Sequence, residues 1–552
     1  MGLPNKIVAA RYSDPGIAKY RKNPLIEALP PIMSAKQIRH GLSGSISFNP
    51  KDLYVDANKR AHLIAQILDD FFQPLSSHIE LETKLSIMIR QGYVGRNLMD
   101  GSLNTHMQNG YERLMSGDLE AFRFDHVVST ARSLSLIGCS GSGKSSTINR
   151  ILATYPQAIF HEKYNFTQIT YLKLDCPHDG SLKNLCFSFF RAIDSVLRTN
   201  YEKKYASKGH SRETLLATMS QIANLHAVGV LVIDEIQHLS VGRSGGVEVM
   251  LNFFVTLVNV IGLPVVMVGT PKARPIFETN LRSARRGAGL GALFWDPMKA
   301  PEPKLNATTG NFDKTEWIAF TDKLWKYQWL QKRDEILRDE VRECWYDLSQ
   351  GVLDIVVKLF VLAQLRAIVT RTERLTVKLL QQVYNDELKP VHPMLAALRS
   401  GDPDLIAEFS DLGVEEMDKK VLRLHSQIHT SLSVSDREVN LYGGNEQAER
   451  LHNLLVGMDC SSDLIVPLIK RVFSEHPSLQ IRELMSIVLE WYESKPQNEQ
   501  KKAKVKPKDW HTLDSDDLRF IFSQCDSATS VYQRLRAEHK IFDIESWPNN
   551  MN

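Results

Sequence analysis

Hydrophobic residues change their spacing twice along the chain, and each change predicts a different kind of structure. Over residues 61–115 apolar positions recur at helical intervals. Over residues 133–268 short apolar runs alternate with helical patterns, which predicts strands joined by helices. Over residues 317–397 the spacing is again almost wholly helical. This order predicts an α/β core with helical regions before and after it.

Four apolar runs in the central region predict buried strands. Strands that alternate with helices favour a parallel sheet that has helices on both faces. Ligands of such a sheet bind at the carboxyl ends of its strands. The predicted strands are residues 134–137, 169–174, 230–233 and 265–268.

A glycine-rich stretch follows the first predicted strand and fits the Walker A pattern without a mismatch. Its glycines let successive backbone N–H groups turn toward one anion, and the helix that follows adds its positive N-terminal end. The pattern predicts that Lys144 meets the β- and γ-phosphates and that Ser145 ligates Mg²⁺. The predicted nucleotide-binding residues are Gly138, Ser140, Gly141, Ser142, Gly143, Lys144, Ser145 and Ser146.

The strand predicted at residues 230–233 ends in Asp234 and Glu235, the order of a Walker B box. Asp234 is predicted to hold Mg²⁺, and Glu235 to polarise the water that attacks the γ-phosphoryl group. An Asp-Glu pair after a strand is otherwise a plain helix N-cap, but here both boxes occur in order and at a domain-like separation. The sequence therefore predicts an ATPase that uses ATP and Mg²⁺, with Ser145 and Asp234 as metal ligands.

Further polar residues follow the strand predicted at residues 265–268. Thr270 is predicted to hold the attacking water or the γ-phosphate, and capping of the next helix is the alternative. Arg282, Arg285 and Arg286 form either a solvated helix face or arginine fingers that reach into a neighbouring subunit's site. Fingers supplied between subunits predict a homo-oligomer.

Composition narrows the class of protein. The net charge of the 552 residues is +3, so any affinity for nucleic acid must come from local basic patches. Six scattered cysteines show no C-x-x-C pair and no histidine cluster at metal spacing, which argues against a disulfide scaffold or a zinc site. No signal peptide and no run of 18 apolar residues is visible, so we expect a cytoplasmic protein without a membrane partner.

The patterns divide the chain into four predicted regions. Residues 1–60 contain several breakers, and residues 1–40 carry seven Lys/Arg against two Asp/Glu; they form a solvated tail or a partner-docking arm. The α/β ATPase domain follows at residues 61–300, and a helical lid at 301–400. The C-terminal region, 401–552, contains a flexible basic linker at 495–508, and the segment after it suits capture of a partner.

Several segments together resemble TnsC, the AAA+ ATP-dependent regulator of cut-and-paste transposons that use a heteromeric transposase. The P-loop alone would be unspecific, but the likeness extends over nearly the whole chain. It is carried by residues 23–31, 92–97, 138–145, 231–239, 281–289, 355–365 and 386–394.

The resemblance implies an AAA+ P-loop NTPase with a parallel sheet, a helical lid and mostly helical extensions. Proteins similar to TnsC bind ATP and assemble as rings or filaments on duplex DNA marked by a target-selector protein. They then recruit and activate the transposase, and hydrolysis resets the assembly. The arm at residues 1–60 would meet the selector, and residues 401–552 would meet the transposase subunits.

DNA contact in this family is to phosphates and not to bases. The candidate contacts in this sequence lie after the second predicted strand, and the alternative is that the lysines are ordinary surface residues. The usual sensor 2 arginine of the lid is missing, with Lys358 or Arg366 as substitutes. The DNA-binding candidates are Ser181, Lys183, Lys203, Lys204 and Lys208.

Two other functions remain open. A replication initiator or helicase loader shares both Walker boxes but usually carries a DNA-reading domain after the lid, and residues 401–552 show no clear helix-turn-helix. A scaffold that holds ATP only as a structural ligand would not need Glu235.

Overall fold

The computed structural model forms two compact units, Met1–Ser433 and Val434–Asn552. Each unit is described by itself below. The residues that the structure describes are 7–118, 123–124, 130–177, 180–206, 209–239, 252–273, 289–300, 304–305, 312–313, 315–413, 417, 419–424, 426–428, 445–456, 460, 462–476, 479, 481–493, 507–512, 518–524 and 533–535.

A five-stranded parallel sheet forms the centre of the first unit. Its strands lie in the order Tyr171–Asp175, Val230–Asp234, Val265–Gly269, Ser133–Ile137 and Gly289–Phe294, so the strand that leads into the P-loop lies between two neighbours. The predicted parallel sheet is therefore confirmed. The strands are β1 (Ile7–Ala9), β2 (Ser133–Ile137), β3 (Ala158–His161), β4 (Phe166–Ile169), β5 (Tyr171–Asp175), β6 (Val230–Asp234), β7 (Val265–Gly269), β8 (Gly289–Phe294), β9 (Lys304–Leu305) and β10 (Phe312–Asp313).

Helices surround the sheet and account for most of the remaining described chain. In the first unit they are α1 (Pro24–Glu27), α2 (Ala35–Leu42), α3 (Ala57–Asp70), α4 (Ser76–Val94), α5 (Ser102–Ser116), α6 (Lys144–Leu152), α7 (Leu182–Leu197), α8 (Tyr201–Tyr205), α9 (Arg212–Leu225), α10 (Glu316–Trp325), α11 (Asp339–Ser349), α12 (Leu353–Val369), α13 (Val377–Glu387), α14 (His392–Ser400) and α15 (Pro403–Phe409). In the second unit they are α16 (Glu446–Val456), α17 (Ser462–Glu475), α18 (Ile481–Glu493) and α19 (Leu518–Ser523).

The strand predicted at residues 169–174 is broken in the structure. Ile169 ends β4, which pairs antiparallel with β3, and Tyr171 begins β5 of the main sheet. Thr170 lies between them, and its backbone N–H donates to the carbonyl of Gln157 at 2.9 Å. Both strands are largely buried, so their apolar residues give one continuous run in the sequence although they belong to different sheets.

The N-terminal residues pack against the sheet. Leu25 and Ile26 are buried in the same core as Leu134 of β2. The Asn23 side chain donates to the carbonyl of Tyr93 at 2.7 Å, which anchors the start of α1 on the end of α4. This part of the predicted arm is a packed layer of the first unit, and its docking on a partner remains a prediction.

The helices after the sheet form their own core, in which Trp317, Trp329 and Trp345 are fully buried. Helix α3 joins this core through an ion pair, in which Arg60 contacts both carboxylate oxygens of Glu373 at 2.7 and 2.9 Å. Burial of both partners makes removal of either one costly, about 3–5 kcal/mol. The pair therefore fixes α3 at the edge of the cavity described below.

The second unit has a core of its own, which α16, α17 and α18 build around Leu451, Ile469 and Leu484. The predicted linker at residues 495–508 lies outside the described residues except for its last two. Among the helices that the structure describes, none combines the length and the apolar character needed to cross a bilayer.

Candidate active site

Both Walker boxes meet at one cavity at the carboxyl ends of the sheet strands. The cavity has a volume of about 640 Å³, a size typical of small-molecule sites. Its polar end is lined by eight predicted residues, six of them nucleotide-binding positions and two of them catalytic positions. These eight residues are Ser140, Gly141, Gly143, Lys144, Ser145, Ser146, Glu235 and Thr270.

The P-loop has the shape that its glycines were predicted to allow. Gly143 has a φ of +93°, a left-handed conformation that favours glycine, and it lets α6 begin at Lys144 facing the cavity. A side chain at Gly138 would lie 2.4 Å from the carbonyl oxygen of Trp295. Trp295 also donates its indole N–H to the carbonyl of Ser142 at 2.9 Å, so this tryptophan fixes both ends of the loop.

Lys144 is buried and bonded to the loop itself. Its ammonium donates to the carbonyls of Gly138 and Cys139 at 2.7 and 2.8 Å. Burial lowers its pKa, and this effect is partly offset by Cys139, Glu235, Asp234 and Asp411. To bind a phosphate the ammonium must exchange these carbonyls for phosphate oxygens, which return more favourable charge-assisted hydrogen bonds.

The Walker B residues divide into a buried and an exposed carboxylate. Asp234 is 3% exposed; one of its oxygens accepts from the Glu235 N–H at 3.0 Å, and the other lies 2.9 Å from the Lys173 ammonium. Glu235 has a φ of +55°, which is strained for a residue other than glycine. This strained turn ends the strand and directs the Glu235 carboxylate into the cavity.

Gln237 connects the two predicted catalytic residues. Its side-chain N–H donates to the Glu235 carboxylate, and its carbonyl oxygen accepts from the Thr270 N–H at 3.2 Å. The sequence analysis missed this residue. Its position on the turn Ile236–His238, directly after the Walker B pair, was the available signal.

An apolar end of the cavity lies between the end of α3 and the lid helices. Leu68, Phe71, Phe320 and Val357 line it. Beside them the Arg150 guanidinium lies over the Phe72 ring, 4.5 Å from its centre. Flat aromatic surfaces of this kind suit a nucleotide base. No local pattern in the sequence predicts this end, because its residues come from parts of the chain that are about 250 positions apart.

His78, near the start of α4, lines the cavity and makes the stability of the fold depend on pH. Its Nδ1 accepts from the Leu75 N–H at 3.1 Å, and its ring stacks on Trp295 with 5.3 Å between centres. Burial lowers its pKa to about 4, and Glu316 opposes the shift only in part. The unfolded chain, with a histidine pKa of about 6.5, therefore binds the proton more readily than the folded chain does between pH 6.5 and 4.

We expect stability to be lost as pH falls through this window, by about 2 kcal/mol from His78 between pH 6.5 and 5. Thermal melts at pH 7 and pH 5 measure this loss for the wild type and for His78→Gln, which cannot titrate. The wild type should lose about 3 °C more than the variant. Equal losses in the two proteins would contradict this assignment of His78.

The predicted DNA contacts that the structure describes lie at the beginning of α7 and on α8. Ser181 and Lys183 lie at its beginning, and the Lys183 ammonium donates to the carbonyl of His210 at 2.8 Å. Lys203 and Lys204 are exposed on α8, which packs against α7. Lys208 lies outside the described residues. DNA contact by these residues remains a prediction.

Three predicted arginines, Arg282, Arg285 and Arg286, also lie outside the described residues. Of the two sensor 2 substitutes, Lys358 pairs at 2.7 Å with Asp354, a residue that lines the cavity. Arg366 instead pairs with Asp386 and Glu387 on α13. Lys358 is therefore the substitute that the fold places beside the cavity.

The oxygen donors near the polar end of the cavity suit Mg²⁺. The Ser145 hydroxyl and the Asp234 carboxylate are hard oxygen donors, the type that Mg²⁺ prefers. Among the described residues no group of three or more His, Cys, Asp or Glu side chains could hold a metal. An ion at this end would thus take its remaining ligands from phosphate oxygens and water, and the Asp234 carboxylate that would hold it also pairs with the Lys173 ammonium.

Two family models match the chain. Residues 126–277 match an AAA domain, and residues 505–551 match the family described as Tn7 transposition regulator TnsC. The chain is a TnsC-like AAA+ regulator. The predicted resemblance and the predicted fold class are both confirmed. Nucleotide binding follows for this TnsC-like chain from its AAA fold.

Solved structures resemble the TnsC-like chain more distantly. The Walker-type ATPase of Pyrococcus abyssi is 14% identical over 54% of this chain and 84% of its own, with a TM-score of 0.29. Drosophila ORC bound to DNA is 14% identical over 72% and 90%, with a TM-score of 0.33. Cdc6p from Pyrobaculum aerophilum is 12% identical over 62% and 98%, with a TM-score of 0.27. No curated protein matches the chain.

Proposed function

We propose that this protein is an ATP-dependent regulator of DNA transposition. In this proposal it assembles on duplex DNA, links a target-selector protein to the transposase, and leaves the DNA after ATP hydrolysis. The observation that carries the proposal is the cavity shared by the two Walker boxes, in a chain whose final residues match TnsC. The identity of the nucleotide, its hydrolysis and the partners all belong to the proposal.

Binding of the triphosphate rests on the P-loop. Backbone N–H groups of the loop and the N-terminus of α6 face the anion, and Lys144 adds a full positive charge. Ser145 and Asp234 would hold Mg²⁺, which when bound offsets negative charge on the phosphate oxygens. The apolar end near Phe71 and Phe320 would take the base.

Hydrolysis rests on the three residues joined by hydrogen bonds at the Walker B turn. Glu235 accepts the proton of the attacking water, and Gln237 orients the Glu235 carboxylate relative to Thr270. Thr270 acts at the γ-phosphate end of the cavity. Arg282, Arg285 and Arg286 would reach the site of a neighbouring subunit, which makes the complete site a property of the homo-oligomer.

DNA binding would be to the phosphate backbone. Ser181, Lys183, Lys203 and Lys204 offer a hydroxyl and three positive charges on α7 and α8, and Lys208 would add a fourth charge. Contacts of this type do not read sequence, and they weaken steeply as salt concentration rises. Such contacts suit a protein that must follow a selector to many different target sites.

The partner assignment is tested by deletion of residues 495–552, which contain the matched TnsC segment and the basic linker. The truncated protein should keep its ATPase rate within about twofold, because the AAA domain match ends at residue 277. It should lose capture of the transposase subunits of the same transposon in a pull-down. The retained ATPase activity serves as the control for folding. Undiminished capture by the truncated protein would contradict the assignment.

A further inference from the structure

A segment that follows the lid returns to the nucleotide cavity. We call residues 402–413 the strap; it consists of Asp402, α15 and the four residues after that helix. The Asp402 side chain caps α15 by accepting from the N–H groups of Asp404 and Leu405. The helix packs against the turn Pro271–Ala273, directly after Thr270. The strap thus packs on the turn that directly follows a predicted catalytic residue.

The end of the strap occupies hydrogen-bond donors of the site. The Ser410 carbonyl accepts from the Ser140 N–H of the P-loop at 2.7 Å. The Asp411 carboxylate accepts from the Thr270 hydroxyl and lies 3.2 Å from the Lys272 ammonium. Asp411 itself lines the cavity. A carbonyl and a carboxylate of the chain therefore hold a loop N–H and a hydroxyl that the proposed function assigns to phosphate oxygens.

The strap and a bound triphosphate would repel each other, because the Asp411 carboxylate and the phosphates are both negatively charged. Asp411 lines the cavity together with Glu235, and both of these carboxylates, like Asp234, act electrostatically on Lys144. An incoming γ-phosphate is also anionic, and like charges within a few ångströms repel strongly where water is partly excluded. The two anions also compete for the same donor, the Thr270 hydroxyl. Only one of them can hold it.

We propose that the strap is a built-in competitor of the γ-phosphate. ATP displaces Asp411 from Thr270, whereas ADP has no γ-phosphate and leaves the strap in place. In sequence, the strap leads from the lid toward residues 434–552, which include the segment that matches TnsC. Its release gives the chain a means of reporting the triphosphate state to its C-terminal region. This inference rests on the proposed binding of ATP at the P-loop.

The first test compares Asp411→Asn with Glu408→Gln, using ATP and ADP with Mg²⁺ in a direct binding measurement. Both changes remove one negative charge from the strap, but Glu408 is exposed and does not line the cavity. Asp411→Asn should bind ATP about fivefold more tightly or better, as expected when one repulsive charge is removed from a partly exposed site. Its affinity for ADP, and both affinities of Glu408→Gln, should stay within about twofold of wild type.

An Asp411→Asn protein that binds ATP no more tightly than wild type overturns the proposal. Weaker binding would instead make Asp411 a ligand of the nucleotide or of its ion. An equal gain in ATP affinity in Glu408→Gln would mean that the effect comes from the net charge of the strap and not from Asp411, and it would also overturn the proposal. A Lys144→Ala protein measured in parallel distinguishes failure of the strap proposal from failure of the proposed function. Retained ATP binding in that variant would contradict the proposed function itself.

The second test needs no variant of the strap. Amide hydrogen exchange of the full chain is followed over residues 404–413 with a non-hydrolysable ATP analogue, with ADP and without nucleotide. The proposal expects faster exchange with the ATP analogue than in the other two samples, because the strap leaves its seat. Equal exchange in all three samples, or slower exchange with the analogue, would overturn it.

Discussion

Lys144→Ala should weaken ATP binding at least about a hundredfold, equivalent to about 2.7 kcal/mol. The variant loses a full charge that faces the β- and γ-phosphates, and charge-assisted hydrogen bonds of this kind are the stronger ones in proteins. It also loses the two bonds from the ammonium to the carbonyls of Gly138 and Cys139, so the empty loop loses internal support. Titration with a fluorescent ATP analogue measures the change directly.

A matched lysine provides the control for this first variant. Lys163 is exposed, and its ammonium lies 5.4 Å from the centre of the Tyr164 ring, outside the cavity. Lys163→Ala removes the same charge from the chain and should leave the affinity for ATP unchanged. If Lys144→Ala binds ATP with wild-type affinity, the P-loop is not the nucleotide site and the proposed function fails.

Glu235→Gln should reduce ATP hydrolysis about 10²- to 10³-fold while the affinity for ATP stays within a few-fold of wild type. The amide keeps the size and shape of the side chain, and its oxygen can still accept from Gln237. It cannot take a proton from the attacking water. Single-turnover hydrolysis, measured at saturating ATP, separates this loss of chemistry from any loss of binding.

Glu162→Gln is the control for the second variant, because it makes the same chemical change at an exposed position outside the cavity. Its hydrolysis rate should match that of the wild type. Glu235→Gln should also prolong the lifetime of ATP-dependent assemblies on DNA, since hydrolysis is proposed to end them. A rate within threefold of wild type would remove Glu235 as the base.

The sequence predicted those parts of the site whose residues are close together along the chain. The P-loop, the Walker B pair and Thr270 each follow directly on an apolar run, so a strand and its functional end are visible in one short stretch. The parallel sheet could be inferred from the same runs, because alternation with helices leaves few other arrangements. Local spacing was sufficient for this polar end of the cavity.

Contacts between distant parts of the chain could not be predicted in this way. Asp411 accepts a hydrogen bond from Thr270, which lies 141 positions earlier in the chain. Phe71, which precedes the strands of the main sheet in the sequence, contacts Phe320, which follows them, with 5.3 Å between ring centres. Neither pair leaves a periodic signal, since the first depends on how the strap packs against the turn after Thr270 and the second on how the lid packs beside the end of α3. The break at Thr170 was missed for a related reason, because only this one residue separates β4 from β5 and the apolar residues on either side of it have the pattern of a single strand.

The N-terminal residues were underestimated for a different reason. Breakers such as Pro30 and Pro31 correctly indicate irregular backbone, but irregular backbone can still be well packed. Leu25 and Ile26 are buried, and the Gln168 side chain donates to the Leu25 carbonyl at 2.9 Å. Side-chain bonds of this kind replace the regular hydrogen bonds that a strand or helix would supply.

Assembly on DNA tests the central claim, that ATP held at this P-loop drives several copies of the chain onto duplex DNA. Full-length protein and a duplex are imaged by electron microscopy with a non-hydrolysable ATP analogue, with ADP and without nucleotide, beside Lys144→Ala under the same conditions. We predict rings or filaments around DNA only for wild-type protein with the analogue. Protein that remains monomeric on DNA with every nucleotide would contradict the account.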